Sequence, residues 1–385
     1  MGRLDGYDGY DGYDGYDGYD GFDGYDAAAS ARVPGSGGVS AAALLRTRDL
    51  LVRGIAPGSQ TRAWTRPWGP PVSFDGLPVP STRWLARLSG TVRRELYLSE
   101  LLDRLRLSHD VGAMRFSIAH ETRRGQRLPV ADVVRPPLAV FVEQARLVEH
   151  WAALRAERTP EIQAQVRTYM PFWTAIGHLE PSTTPYTYEL ITATIQIASA
   201  LVQRAKYALV CPRPAQYSPL VQPMIQTPEH FAFPSGHATQ AFAIAHILSA
   251  AIDPADRALA DTLQRQAEMI ATNRVIAGVH FHVDSLAGRV VGQSLGEYLV
   301  HRGQGGGWVG RGFRGRARPS GSLSHAELDL SVAIDAPGGR AGLEPAYRGN
   351  DRNRRYDADP GNAGAADPDT AWAWLWQQVR REWRV

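Results

Sequence analysis

Two stretches, residues 190–209 and 238–252, are the most apolar in this 385-residue chain, and polar side chains interrupt both. Gln196, Gln203, Arg204 and Lys206 break the first; Gln240 and His246 break the second. A helix crossing a bilayer needs roughly 18 or more apolar residues in a row, and the chain has no such run. Helices of this kind bury one apolar face against other helices, so an all-α bundle in water is expected, with any site built between helices. The first residues, Met1-Gly2-Arg3-Leu4-Asp5-Gly6-Tyr7, lack the basic start and apolar core of a secretory signal. A cytoplasmic chain is expected.

The remaining helical patterns follow in order. Ser40 is placed to cap a short helix over 41–53, and a Pro/Trp-rich connection over 57–80 follows. Leu96, Leu98, Leu101, Leu102 and Leu105 repeat with helical spacing within 85–107. Pro136-Pro137 opens a helix over about 138–158, and Thr159-Pro160 restarts one toward Tyr169. Further helices are expected over 186–209, 254–279 and 284–301, with no alternating strands between them. Four segments result: a disordered tail (1–38), a helical domain (39–303), a Gly/Arg-rich disordered linker (304–368) and a terminal helix (369–385). The tail carries seven tandem Asp-Gly-Tyr or Asp-Gly-Phe triplets over 5–25, a composition without helical or strand period. It reads as a solubilising segment, with an aromatic interaction tail as the alternative. The linker holds Arg311, Arg314, Arg316 and Arg318, read as solvated, and a short strand is expected at 328–334. In the terminal helix, Trp372, Leu375, Trp376, Val379 and Trp383 share a face. That face suits peripheral membrane contact or a partner helix, or docking onto the protein's own core.

Bulk properties exclude some classes. The net charge is +3, too small to single out nucleic acid, and no nucleic-acid partner is expected. Cys211 is the one cysteine, so no intrachain disulfide can form, and it reads as a small buried apolar residue rather than a nucleophile.

Chemistry concentrates in three stretches. In Phe233-Pro234-Ser235-Gly236-His237-Ala238-Thr239, Pro and Gly punctuate the chain just before an apolar helix. Ser235, Gly236 and His237 therefore fall at a helix N-terminus, where free N–H groups and the helix dipole favour an anion. Upstream, Lys206 and Arg213 are set as Lys-x6-Arg-Pro; downstream, Arg274, His280 and Asp284 are set as Arg-x5-His-x3-Asp. Lys206, Arg213 and Arg274 supply three cations for an oxyanion. Lys206 is the only lysine in a chain with 41 arginines, which suits a position needing a compact ammonium rather than a planar fork. Pro212 and Pro214 suggest that Arg213 lies just past a helix end, fixed by its neighbours. If a helix begins near His280, then His280 and Asp284 share a face. The carboxylate then accepts the Nδ1 proton and leaves Nε2 with a lone pair, while His237 is free for acid/base work. His282 could join His280 and Asp284 in a divalent metal site, but i and i+2 point apart on a helix and the surroundings are cationic; no metal is expected. His230, Phe231 and Phe233 are placed at the pocket mouth, although packing alone would explain the two phenylalanines.

In their order and spacing the three stretches resemble the signature of the phosphatidic acid phosphatase type 2 (PAP2) superfamily. That superfamily also holds bacterial class A acid phosphatases, glucose-6-phosphatase and vanadium-dependent haloperoxidases. The resemblance covers roughly residues 200–300 and departs at Asn273, where the family usually has Ser. It implies the superfamily's helical bundle and a role for each matched residue: His280 as a nucleophile forming a phosphohistidine, His237 as acid/base, and Asp284 orienting His280. Lys206, Arg213, Ser235, Gly236 and Arg274 hold the oxygens. The activity implied is cofactor-free hydrolysis of a small phosphate ester. In the haloperoxidase branch, vanadate sits in the same pocket with His280 as its ligand, and peroxide and halide are the partners. Short gaps between the motifs favour the phosphatase, while Thr227-Pro228-Glu229-His230 looks haloperoxidase-like. An inactive anion- or lipid-binding scaffold is the third alternative.

Overall fold

A computed structural model describes residues 81–314, 355–357 and 370–383, except the side chains of Arg167 and of residues 355–357. The expected tail, the helix over 41–53, the connection over 57–80 and the strand at 328–334 lie outside the described residues. The described chain is mainly helical, as expected. Its helices are α1 (Gly90–Asp103), α2 (Leu138–Trp151), α3 (Arg155–Arg167), α4 (Met170–Gly177), α5 (Pro185–Leu209), α6 (Gly236–Ile252), α7 (Arg257–Ile276), α8 (His282–Gln304) and α9 (Ala371–Glu382).

Local chemistry sets several boundaries. Ser89, Ser235, Asp256 and Thr370 cap α1, α6, α7 and α9, each accepting an N–H from the first turn. The Asp256 cap starts α7 at Arg257, three residues later than the Pro254 cue suggested. Helix α5 ends at Val210, a β-branched residue at φ 49°. Arg135 supports this turn by donating to the carbonyls of Leu209 (3.0 Å) and Val210 (3.3 Å).

Helix α8 is the centre of the bundle. It packs on α6, α7 and α9 and also carries the sheet. Gly288, Gly292 and Gly296 form a stripe, one turn apart, against α6. A Cβ on Gly288 would lie 2.7 Å from the Ser235 carbonyl oxygen, and one on Gly296 would lie 2.8 Å from the His246 Cβ. Bare backbone at these positions lets the two helices approach closely.

The expectation of no strands is corrected. Strands β1 (Leu105–Asp110), β2 (Arg115–Glu121) and β3 (Arg127–Val134) form an antiparallel meander, and β5 (Arg311–Arg314) joins β3 in parallel. In β2, Phe116, Ile118 and His120 point inward and alternate with more exposed residues. Phe116, Ile118, Ala131 and Val133 border one narrow gap with Leu201 and Val202 of α5 and Val291 of α8. The long helix expected over 85–107 is thus divided: α1 ends at Asp103, and Leu105 and Leu107 belong to β1. A leucine pair at i and i+2 fits either period when the run is this short. The helix expected over 138–158 breaks at Trp151, and α3 continues through Pro160.

The expected linker over 304–368 is structured where its first residues are described. Strands β4 (Gly307–Val309) and β5 follow α8 directly, with Trp308 and Phe313 buried; β4 pairs with β6 (Arg355–Asp357). Trp308 donates to the Pro129 carbonyl at 2.9 Å and packs against His120, Tyr298 and His301.

The tryptophan face of α9 is docked onto the bundle. Trp372, Leu375, Trp376 and Val379 are buried, and the Trp372 indole donates to the Leu299 carbonyl at 2.8 Å. Glu382 accepts from the backbone N–H groups of Tyr186 (2.6 Å) and Thr187 (2.9 Å), capping the start of α5 from another part of the chain. Of the two readings of this face, docking onto the core describes its packing. No helix among the described residues is long and apolar enough to cross a membrane.

Candidate active site

Four helices converge on one open cleft of about 750 Å³. Helix α5 brings Lys206, the N-terminus of α6 brings Gly236 and His237, the end of α7 brings Arg274, and the turn before α8 brings His280; all five line the cleft. Arg213 and Asp284 lie just behind His280 and bond to its two ring nitrogens. Ser235 is fully buried. Its hydroxyl oxygen accepts the Ala238 N–H at 3.4 Å, and its own N–H donates to the Asp284 carbonyl at 2.9 Å. It therefore sits in the seam between α6 and α8 rather than on the cleft wall.

Asp284 reaches His280 by a route other than a shared helical face. The helix begins at His282, which leaves His280 outside it and makes Asp284 the third residue of the first turn. An acidic residue there folds back onto the helix start. One oxygen, Oδ2, accepts both the Phe281 N–H and the His280 Nδ1–H, each at 2.9 Å. His280 Nε2 then carries the lone pair, and it faces Nη1 of Arg213 at 3.1 Å. A guanidinium only donates, so this contact agrees with the tautomer that Asp284 selects.

The cations are held by backbone carbonyls. Lys206 Nζ donates to Phe231 (2.7 Å) and Ala232 (2.8 Å). Arg213 donates to His230 (3.0 Å) and Val279 (2.7 Å), and its Nη2 contacts His230 Nδ1 at 3.0 Å. As expected, Arg213 lies beyond the end of α5 in extended backbone, between its two prolines. Arg274 donates from Nη2 to the Ile162 carbonyl (3.0 Å) and the Gln165 side chain (3.1 Å). Its buried Nε has no acceptor among the described residues, and a bound oxyanion would supply one.

Burial and mutual repulsion tune these groups. Burial, then Arg213, holds Lys206 well below the ordinary lysine range. Burial lowers Arg274 to about 10. Burial first, and then neighbouring cations, push His237 and His230 down to about 3 and His280 well below its usual value. Burial raises the Asp284 carboxyl to about 7, against the pull of the Phe281 N–H, Lys206 and Arg213. Each shift disfavours the charged form. An incoming dianion reverses that preference for the cations and the histidines.

Other expected residues fall elsewhere. Phe233 is buried against Phe313, with ring centroids 6.0 Å apart, and Phe231 contributes its carbonyl to Lys206; neither lines the cleft. His230 does line it. His282 is buried with its ring edge-on to Trp151, at 6.1 Å between centroids. Cys211 is buried and burial pushes its thiol upward, consistent with an unreactive apolar residue. Asn273 donates its amide to Gln165 at 3.1 Å and does not line the cleft.

Sequence reading missed part of the cleft wall. Val166 near the end of α3 and Tyr169 just before α4 line it, with Ser199 and Gln203 of α5 and Gln240 of α6. The Tyr169 hydroxyl donates to Gln240, whose amide donates to Ser199 at 2.7 Å. Gln165 lies behind this wall, fully buried. These residues belong to no motif; the polar interruptions of α5 and α6 were the one signal that could have found part of the wall.

Three cations, a helix N-terminus and two imidazoles are thus gathered at or just behind one cleft of a helical bundle. Residues 188–304 match the family model described as the PAP2 superfamily, and this matched segment contains every residue from Lys206 to Asp284 named above. At the level of the family, the match supports a phosphatase-type hydrolase. A similar solved structure is that of a transmembrane PAP2 type phosphatidylglycerolphosphate phosphatase from Bacillus subtilis. It is 18% identical over 43% of this chain and 85% of that chain, with a TM-score of 0.34, too low a likeness to support any inference. No curated protein matches the chain.

Proposed function

We propose that this chain is a metal-independent phosphomonoesterase working through a phosphohistidine on His280. The observation that carries the reading is the polarised His280 ring, with Nδ1–H on Asp284 and the Nε2 lone pair beside Arg213 at the cleft. The Nε2 lone pair attacks phosphorus, and the bond from phosphorus to the ester oxygen breaks. The departing oxygen takes a proton from His237, which acquires it as the dianion binds and offsets the surrounding positive charge. Lys206, Arg213, Arg274 and the α6 N-terminus stabilise the charge on the remaining oxygens. Water then attacks the phosphohistidine, His237 takes its proton, and the phosphorus–nitrogen bond breaks to release phosphate. The substrate is a small phosphate ester, and no cofactor takes part.

One observation favours a second reading. His230 places a third imidazole on the cleft wall, bonded to Arg213, which hydrolysis leaves unused. The same cations and the unpartnered Arg274 Nε fit vanadate as well as phosphate. In a haloperoxidase, His280 would be its ligand, and the bound metal would supply peroxide activation.

A paired assay decides between them. Hydrolysis of an aryl phosphate that is blocked by vanadate, and lost by at least about a thousandfold in His280→Ala, supports the phosphatase. Bromination that needs vanadate, peroxide and bromide, without hydrolysis, overturns it in favour of the second reading. Absence of both activities in folded protein leaves an anion-binding scaffold.

A further inference from the structure

Helix α3 lies outside the family-matched segment, yet its last turn reaches Arg274, one of the cations lining the cleft. Gln165 is fully buried and all of its polar atoms on this side are engaged. Its Oε1 accepts from Asn273 Nδ2 and Arg274 Nη2, each at 3.1 Å. Its Nε2 donates to Glu161 Oε1 at 3.1 Å. The amide orientation follows from its partners: a guanidinium only donates and a carboxylate only accepts, so oxygen must face Arg274 and nitrogen must face Glu161.

We propose that Gln165 is a positioning residue for Arg274: its side chain fixes the guanidinium through Nη2 and leaves Nε for the bound oxyanion. Asn273 serves the same device: its amide donates to Oε1 beside Arg274 and holds the glutamine in register. This gives Asn273 a role in place of the Ser expected at that position. The proposal rests on the oxyanion-site reading of the cleft and concerns binding alone, so it does not depend on which reaction follows.

The test measures inorganic phosphate and vanadate binding by calorimetry, alongside aryl phosphate kinetics, in the full chain. Gln165→Met keeps the volume and removes the acceptor. It is expected to weaken phosphate binding by about tenfold, an amount typical of a lost hydrogen bond to a charged group. Gln165→Glu places a carboxylate beside Arg274 and is expected to weaken phosphate further. Asn273→Ala should weaken phosphate two- to threefold, and it decides alone if the Gln165 variants do not fold. A variant that loses thermal stability but keeps parental phosphate affinity overturns the proposal, because packing alone then explains Gln165. If the parent binds phosphate but hydrolyses no ester, the phosphatase reading fails while the binding comparison still tests Gln165.

Discussion

Gly288→Ala tests whether the close contact of α6 and α8 sets the geometry of the cleft. The new Cβ would lie 2.7 Å from the Ser235 carbonyl oxygen and 2.8 Å from the Ala238 Cβ. Ordinary contacts are about 3.3 Å to oxygen and about 3.5 Å or more to carbon, so the helices must part by roughly 0.6–0.8 Å at this point. Overpacking of this kind costs about 1–3 kcal/mol, and the better helix propensity of Ala returns about 1 kcal/mol. The net loss of stability is therefore modest, roughly 0–2 kcal/mol. Activity should suffer more. Ser235 and His237 ride on α6, while His280 is tied to Asp284 of α8, so the shift opens the gap between the two imidazoles. A misplacement approaching 1 Å costs up to about a hundredfold; a fall of 10- to 100-fold in kcat/KM is expected. Gly296→Ala is the control, since its Cβ would meet the His246 Cβ at 2.8 Å and the Ala243 carbonyl oxygen at 3.1 Å. It lies eight residues, about 12 Å, further along the helix, and kcat/KM should stay within about threefold of the parent. Aryl phosphate kinetics and urea unfolding on both variants provide the comparison. Equal loss of activity in the two variants, or none in Gly288→Ala, would refute the reasoning.

Two further predictions concern stability. Burial pushes His120 down to about 3, and His237 and His230 to about 3 at the cleft. Unfolded histidine takes up a proton near 6.5, so the stabilisation is fully present above that pH and is lost as pH falls toward 3. Each such group contributes up to about 1.4 kcal/mol per pH unit. Water in the open cleft screens His237 and His230, which leaves His120 the largest share. Asp284, raised to about 7, opposes this loss over the same range, so the comparison is with His120→Gln. Between pH 6.5 and 5, urea unfolding should show the parent losing more stability, relative to that variant, by more than about 1 kcal/mol. An equal pH response contradicts the buried neutral imidazole. Separately, Glu382→Ala removes the cap on α5 and should lower stability by about 1–2 kcal/mol without changing KM, because Thr187 and Lys206 are about 28 Å apart along the helix. A changed KM would show that the two ends are coupled.

The legible part of this protein was the part in which chemistry and spacing coincide. Lys206, Arg213, His237, Arg274 and His280 meet at one cleft, and the prolines around Arg213 marked the end of α5. The His280–Asp284 contact was read from spacing, although the turn before α8 delivers it rather than a helical face. Gln165 stayed invisible because its bond to Arg274 joins residues 109 apart in the chain; no local pattern encodes a tertiary contact of that range. The strands were hidden for a different reason. His120 occupies an inward position in β2 and Pro129 interrupts β3, so neither segment showed a clean apolar alternation. On α9, amphipathicity predicted a buried face without naming what would bury it, since an apolar stripe suits a bilayer, a partner or the chain's own core equally.

The solitary buried ammonium of Lys206 has a practical consequence. Apart from the α-amino group, no other amine in the chain competes for an acylating or aldehyde reagent. Labelling chemistry that would scatter over most protein surfaces is therefore directed to the floor of the cleft, and the mass of one tryptic peptide becomes a direct gauge of whether that floor is occupied.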